Sequence, residues 1–359
     1  MNRITNLEKK YVLDCIDSTY VSSVGSYVSK FEEELANYCQ IDKAIALVNG
    51  TAALHTALHI LGVKSTDEVL TQSLTFVATA NAIRYCGAQA IFIDVDIETM
   101  GMSPSALNSF LELNAEMRNN RCFNKKTGNK IAACIPMHTY GFPVDIEEIC
   151  KICRKWGVPV IEDAAEALGS KYKGKALGTF GDIGVISFNG NKIITAGGGG
   201  AILTNNSKYA EEIKHITTTA KVPHSYEFHH DQLGFNYRMP NLNAALLCAQ
   251  IEQMDLFLSN KRQLAQTYKS YFDSIGVKFR WENKNSEVNF WLMCIELESI
   301  EQRNSFLEAS NSSDVMTRPS WQLMHTLPMF KDCLCDHQTN AKFLQDRIVN
   351  IPSSYRNFK

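Results

Sequence analysis

The sequence predicts an α/β protein with a mostly parallel central sheet flanked by helices, followed by a smaller C-terminal α+β unit. Three observations predict it. Short β-rich apolar runs alternate with segments of helical period over the first two thirds of the chain. Those runs are apolar on consecutive residues rather than alternate ones, the pattern of strands covered on both faces. From about Asn241 the texture changes to one long amphipathic segment and a few scattered strands, which places a boundary at 245, with a large unit over 1–245 and a small one over 246–359.

The elements follow in order. AIALV (44–48) leads into the helical TAALHTALHILG, VLTQSL precedes FVATANAIRYCG, and AIFIDVD (90–96) precedes SPSALNSFLELN. KIAACIPMH (130–138) leads to DIEEICKICRKWG, VPVIED (158–163) follows, and GVISF (184–188) and GGAILTN end the series. The segment 241–272 repeats apolar residues at Leu242, Leu246, Ala249, Met254, Phe257, Leu264 and Tyr268 and reads as a long helix. Two strand-like runs, VKFRW and NFWLMCIEL, then a helix around EQRNSFLEAS and a short VMTRP complete the small unit.

Composition excludes several function classes. With 359 residues, Lys plus Arg 36 and Asp plus Glu 38, the net charge is -2, and no charge block would hold nucleic acid or anionic lipid. The polar start MNRITNLEKK lacks an apolar leader, no run is long enough to span a bilayer, and the expected place is the cytoplasm. Eleven cysteines at irregular spacing fit reduced thiols better than a disulfide framework. Cys150 with Cys153, and Cys333 with Cys335 beside His337, lack zinc-site spacing, and the first pair falls on a helical pattern, so no metal is expected.

Chemistry-bearing residues collect where strands end. Asp163 closes VPVIED at the sheet's carboxyl edge, where a buried charge requires a cationic partner. Lys192 follows GVISF on the same edge, beside four consecutive glycines that permit close backbone approach. Gly50, Thr51 and Ala52, between a strand and a helix, form an anion site because unpaired helix N-terminal amides point out of such a turn. One amine, one carboxylate and one phosphate cradle on a single edge suit pyridoxal phosphate, with the lysine as Schiff base and the carboxylate holding the pyridine nitrogen protonated. Taken singly, Asp163 reads more readily as a helix cap or a structural ion pair and Lys192 as a surface lysine, and only their conjunction is specific. The glycine run matches neither the dinucleotide nor the nucleoside-triphosphate fingerprint.

Four blocks in one order, NGTAALHTAL (49–58), SLTFVATANAI (73–83), VIEDAAEALGSKYKGKALGTFGDIGVISFNGNKIITAGGGGAI (160–202) and LGFNYRMPNLNAA (233–245), closely resemble the DegT/DnrJ family of nucleotide-sugar aminotransferases. The resemblance runs from about Gly25 to the C-terminal NIPSS. It implies a fold-type I pyridoxal phosphate enzyme acting as a homodimer with active sites at the subunit interface. By position it puts the Schiff-base lysine on Lys192, the pyridine-nitrogen partner on Asp163, phosphate contacts on Thr51, Ala52 and Ser187, and the ring-stacking aromatic on Phe76. Asn236 falls where an asparagine reaches the phosphate of the neighbouring subunit.

Many relatives read EDAAQA where this chain reads EDAAEA, so Glu166 stands where a glutamine is expected near the cofactor's phenolic oxygen. A carboxylate there must be protonated, be offset by a cation, or point away. His138, at the end of AACIPMH, reads as a substrate-side residue or equally as a satisfied structural histidine. Asn191, next to Lys192, is a further substrate-side candidate. His325 lies in RPSWQLMHTLPMF, which resembles a segment bordering the sugar pocket, although Trp321, Leu323 and Met324 around it fit a small-unit core as well.

The reaction implied is transfer of an amino group from an amino acid, glutamate by resemblance, to a nucleotide-linked keto sugar. The family's dehydratase branch has histidine where this chain has Lys192, and lysine favours transamination. FNGNKIITAGGGG is most similar to members that aminate carbon 4 of UDP- or GDP-linked 4-keto-6-deoxy N-acetylated sugars, on routes to legionaminic acid or bacillosamine. The rivals are a non-catalytic cofactor-binding regulator and a nicotinamide-dependent sugar oxidoreductase.

Overall fold

The computed structural model describes residues 3–357. Seven strands form one twisted sheet: β1 (Lys43–Leu47), β2 (Glu68–Gln72), β3 (Gln89–Ile93), β4 (Ile131–Ile135), β5 (Ile161–Asp163), β6 (Ile183–Ser187) and β7 (Gly200–Thr204). Their order is β1-β7-β6-β5-β4-β2-β3, and only β7 runs antiparallel. The join between β5 and β4 is made by Asp163 N–H on the Pro136 carbonyl (2.9 Å) and His138 N–H on the Asp163 carbonyl (3.1 Å).

Both faces of this sheet are dry, which is why its strands read as unbroken apolar runs. Along β1, Ala44 and Ala46 join one hydrophobic cluster while Ile45 and Leu47 join another; along β3, Ile91 and Ile93 part from Ala90 and Phe92 in the same way. One cluster is closed by Phe31 and Leu35 of α2 (Ser26–Cys39), Leu107 and Leu111 of α5 (Pro104–Asn114) and Ile146 and Ile149 of α6 (Ile146–Lys155). The other is closed by Leu54 and Leu58 of α3 (Gly50–Ile60), Ile83 of α4 (Val77–Tyr85) and Ile213 of α7 (Ser207–Thr217). A fully buried leucine or isoleucine contributes about 1.5–3 kcal/mol, so this double layer fixes strand order and direction.

Two elements differ from the sequence reading. The N-terminal segment forms α1 (Asn6–Asp17), opened by a capping box between Thr5 and Glu8, ahead of α2. The long segment after 241 is two helices, α8 (Asn241–Ile251) and α9 (Met254–Ser274). Between them Gln253 leaves helical geometry, its amide donating to the Ala249 carbonyl (2.8 Å) and to the buried Glu8 carboxylate (2.8 Å). Ala245 therefore lies inside α8, which packs on α1 and α2.

The C-terminal part carries a second antiparallel sheet, β8 (Lys278–Phe279), β9 (Met293–Glu296), β10 (Arg318–Pro319) and β11 (Ile348–Ile351), in the order β8-β9-β11-β10, with α10 (Ile300–Ser312) against it. Residues 334–335 return to pair in parallel with β3. All eleven cysteines are free thiols. Among the described residues no helix is long and apolar enough to cross a membrane, and no cluster of His, Cys, Asp or Glu is arranged to hold a metal.

Candidate active site

The carboxyl ends of β5 and β6 bring three titratable groups together. Asp163 is the last residue of β5 and is buried; its Oδ2 accepts from the Thr79 hydroxyl (2.7 Å) at the start of α4, and its Oδ1 from the Ala165 amide (3.2 Å). Burial pushes its carboxyl up, against those two donors and the Lys192 charge. Three residues on, Glu166 is buried too, and burial pushes its carboxyl up to about 7, opposed by the Lys192 charge and a Tyr140 N–H bond. Lys192 Nζ stands 3.4 Å from Glu166 Oε1, and Tyr140 N–H donates to Oε2 at 2.9 Å. Of the three possibilities for a carboxylate at 166, a cationic partner is present, and burial favours the protonated form as well.

The anion cradle forms with one change. Asn49 caps α3, and its Oδ1 accepts the Ala52 amide at 2.7 Å, so that N–H is already used. The amides of Gly50 and Thr51 lie in the first turn of α3, where a helix supplies no internal acceptor. Ser187, the last residue of β6, abuts them: a Cβ at Gly50 would come within 3.0 Å of the Ser187 Cβ. The glycine run has a structural cause as well, since a Cβ at Gly200 would lie 2.4 Å from the Asn49 carbonyl carbon. Any larger residue there would push β7 off the cradle.

Phe76, at the N-terminus of α4, leaves its ring 49% exposed on this edge, with Trp321 beside it at 6.1 Å between centroids. Trp321 also packs on the buried Tyr140 at 4.7 Å and against the hydrophobic cluster that includes the C-terminal sheet, so it bridges Phe76 and that core. His325 Nδ1 and the Ser73 hydroxyl just beyond β2 share a 2.6 Å hydrogen bond, and burial pulls the imidazole down. Asn191 is exposed, its side chain accepting from the Asn189 amide (3.2 Å).

His138 is a correction to the substrate-side reading. It is fully buried; Val144 N–H donates to its Nδ1 (3.3 Å), so the proton sits on Nε2 and is donated to Glu162 Oε2 (3.1 Å). Glu162 in turn accepts the Gly178 amide at 2.9 Å and the Gly181 amide at 2.6 Å. Both ring nitrogens are occupied inside the fold, which is the satisfied structural histidine.

Asn236 is exposed and makes no hydrogen bond to the residues above among those described. Its segment is nevertheless held near the cradle: Val48 N–H donates to the Tyr237 carbonyl (2.9 Å), and Arg238 reaches the Ala46 carbonyl (3.2 Å) and Glu32 (2.9 Å). Thr79, Tyr140, Asn289 and Trp291 touch the central groups without having been singled out. Thr75 and Thr79, one helical turn apart after a strand, were the available signal for the first.

These residues fit pyridoxal phosphate on the structure's own terms. A buried carboxyl that burial pushes up needs a proton-bearing partner, the first turn of α3 abuts Ser187 at Gly50, and a half-exposed ring and a mostly buried amine stand on the same sheet edge. Fold and site define a fold-type I pyridoxal phosphate-dependent aminotransferase. Comparison with known proteins agrees. The chain belongs to the DegT/DnrJ/EryC1/StrS aminotransferase family, which matches residues 2–357. It is similar to a GDP-perosamine synthase of Escherichia coli O157:H7, 39% identical over 350 residues that cover 98% of this chain and 91% of the relative. It is also similar to EpsN of Bacillus subtilis (strain 168), described as a pyridoxal phosphate-dependent aminotransferase, 37% identical over 96% of this chain and 88% of the relative. The solved structure of Helicobacter pylori PseC, an aminotransferase involved in the biosynthesis of pseudoaminic acid, shares the fold with TM-score 0.87 and 21% identity over 98% of this chain and 92% of that one.

Proposed function

We propose that this chain moves an amino group from an amino acid, L-glutamate first, to carbon 4 of a nucleotide-linked 4-keto-6-deoxy sugar in the cytoplasm. The observation that carries the proposal is the Lys192–Glu166 pair beside Asp163, set in a chain that matches a GDP-perosamine synthase along nearly its whole length. That likeness favours GDP as the nucleotide.

When bound, pyridoxal phosphate supplies an electron sink for the pair left when a proton leaves the donor's α-carbon. The chain's own residues do the rest. Asp163 would keep a proton on the pyridine nitrogen, with Thr79 and the Ala165 amide holding that carboxylate in place. Gly50, Thr51 and Ser187 would hold the phosphate, and Phe76 would offer its exposed ring to the cofactor. Lys192 is both the covalent anchor and the base that moves the proton. Glu166 holds the amine within reach and balances its charge. Asn236, exposed on a segment tethered beside the cradle, serves the site of a second copy, so the working unit is a homodimer. The exposed Tyr226, Phe228 and Leu233 on the preceding segment support a covered face there.

The test is a screen of nucleotide-linked keto sugars with glutamate, reading amino-sugar product by mass. A GDP-linked 4-keto-6-deoxy sugar is expected to give product. Bleaching of the cofactor by glutamate with no sugar accepted would remove the substrate assignment.

A further inference from the structure

The Asn289–Phe290–Trp291 turn precedes β9 and belongs to the C-terminal sheet, yet its side chains end at the lysine. Trp291 is buried, its ring lies under Lys192 Nζ at 4.1 Å from the centroid, and its Nε1–H donates to the Asn191 carbonyl at 2.7 Å. Two residues back, Asn289 donates to the carbonyls of Glu166 (2.8 Å) and Leu168 (3.0 Å) and accepts the Trp291 amide (2.9 Å). Gly141 makes room for it, since a Cβ there would lie 2.2 Å from the Asn289 Oδ1. Phe290 between them sits at φ +50, left-handed geometry that a bulky residue adopts only when its surroundings enforce it. It is fully buried against Trp281, at 4.8 Å between centroids. Behind the turn, the Lys261 ammonium of α9 donates to the Trp291 carbonyl at 3.2 Å and to the Ser353 carbonyl.

We propose that Trp291 is the positioning residue for Lys192: its N–H pins the Asn191–Lys192 backbone and its π face holds the amine beside Glu166, with Asn289 fixing the loop that carries Glu166. The inference deepens the aminotransferase reading and rests on it.

The test uses the full chain freed of cofactor and two readouts that a steric shield would move together. The first is acylation of Lys192 by acetic anhydride, followed by mass spectrometry relative to Lys151, whose side chain is 73% exposed. The second is the rate at which added pyridoxal phosphate becomes attached to Lys192. In Trp291→Leu, attachment should slow by at least about tenfold because the amine is no longer held in place, with acylation of Lys192 not reduced, since a small reagent needs no fixed amine geometry. A rise in both rates marks Trp291 as a lid over the lysine and overturns the proposal, as does no change in attachment. Trp291→Phe keeps a ring and loses the N–H, and is expected to slow attachment about twofold to tenfold, so it carries the test if the leucine variant does not fold; attachment at the wild-type rate in Trp291→Phe refutes the pinning role. Failure of the wild-type chain to attach pyridoxal phosphate at Lys192 overturns instead the reading on which the proposal rests.

Discussion

Lys192 and Glu166 form an ion pair at 3.4 Å, with the carboxylate buried at the end of the loop after β5 and the amine only 12% exposed on its side chain. The amine lies between that carboxylate and the Trp291 ring, whose centroid is 4.1 Å away. Where a glutamine is expected, the glutamate places a carboxyl oxygen 3.4 Å from the lysine amine.

Glu166 makes the cofactor-free chain pH-sensitive. Its carboxyl ionises near 7 in the fold against 4.5 ordinarily, so the folded chain binds the extra proton in that interval. Stability from this group is therefore complete below pH 4.5, falls as pH rises through 7, and is flat above, a change of about 3 kcal/mol. Urea midpoints of wild type and Glu166→Gln at pH 5 and pH 8 check it: the wild type should lose more stability between them than the variant. Equal losses would mean that Glu166 is already charged at pH 5.

Asp163→Asn is expected to leave cofactor bound and turnover reduced by roughly 10²-fold or more, since a neutral amide cannot keep the pyridine nitrogen protonated. Cofactor content by absorbance, set beside turnover per bound cofactor, separates the two effects. Lost affinity with full turnover per bound cofactor would leave Asp163 a structural cap for Thr79 and Ala165.

Mixing subunits tests the shared site. Asn236→Ala should lower cofactor affinity about tenfold to a hundredfold, the loss of one charge-assisted bond of roughly 1.5–3 kcal/mol. In a mixed dimer of Lys192→Ala and Asn236→Ala chains, one site carries both lesions and the other neither, so activity should reappear after exchange. Activity that stays at the mean of the two parents argues that Asn236 serves its own chain.

The central sheet was readable because its strands are buried on both faces, and the residues placed at their carboxyl ends, Asp163, Ser187 and Lys192, follow from that topology. The amphipathic α1 announces itself only through the Thr5–Glu8 capping box, and the break at Gln253 depends on a glutamate at the other end of the chain. At Ala52 an asparagine at the helix cap competes for the same amide, which the motif alone does not show. Asn289 and Trp291 were invisible for a related reason. In NFWLMCIEL they read as part of a strand, and their partners at 166, 168 and 191 are brought together only by the folded C-terminal sheet.

Lys192→Ala should keep the fold and lose catalysis, because general-base work alone contributes about 10²–10⁴-fold and the covalent anchor goes with it. Circular dichroism and turnover on the same sample decide this. A tenth of wild-type activity in the variant would exclude Lys192 as the base.

The most direct measurement is the visible absorbance of the loaded wild-type protein through one full cycle. Glutamate should bleach the cofactor band, and a GDP-linked 4-keto-6-deoxy sugar should restore it with one amino sugar formed for each band recovered. A band that no amino acid changes would contradict the account and leave a protein that holds pyridoxal phosphate without using it.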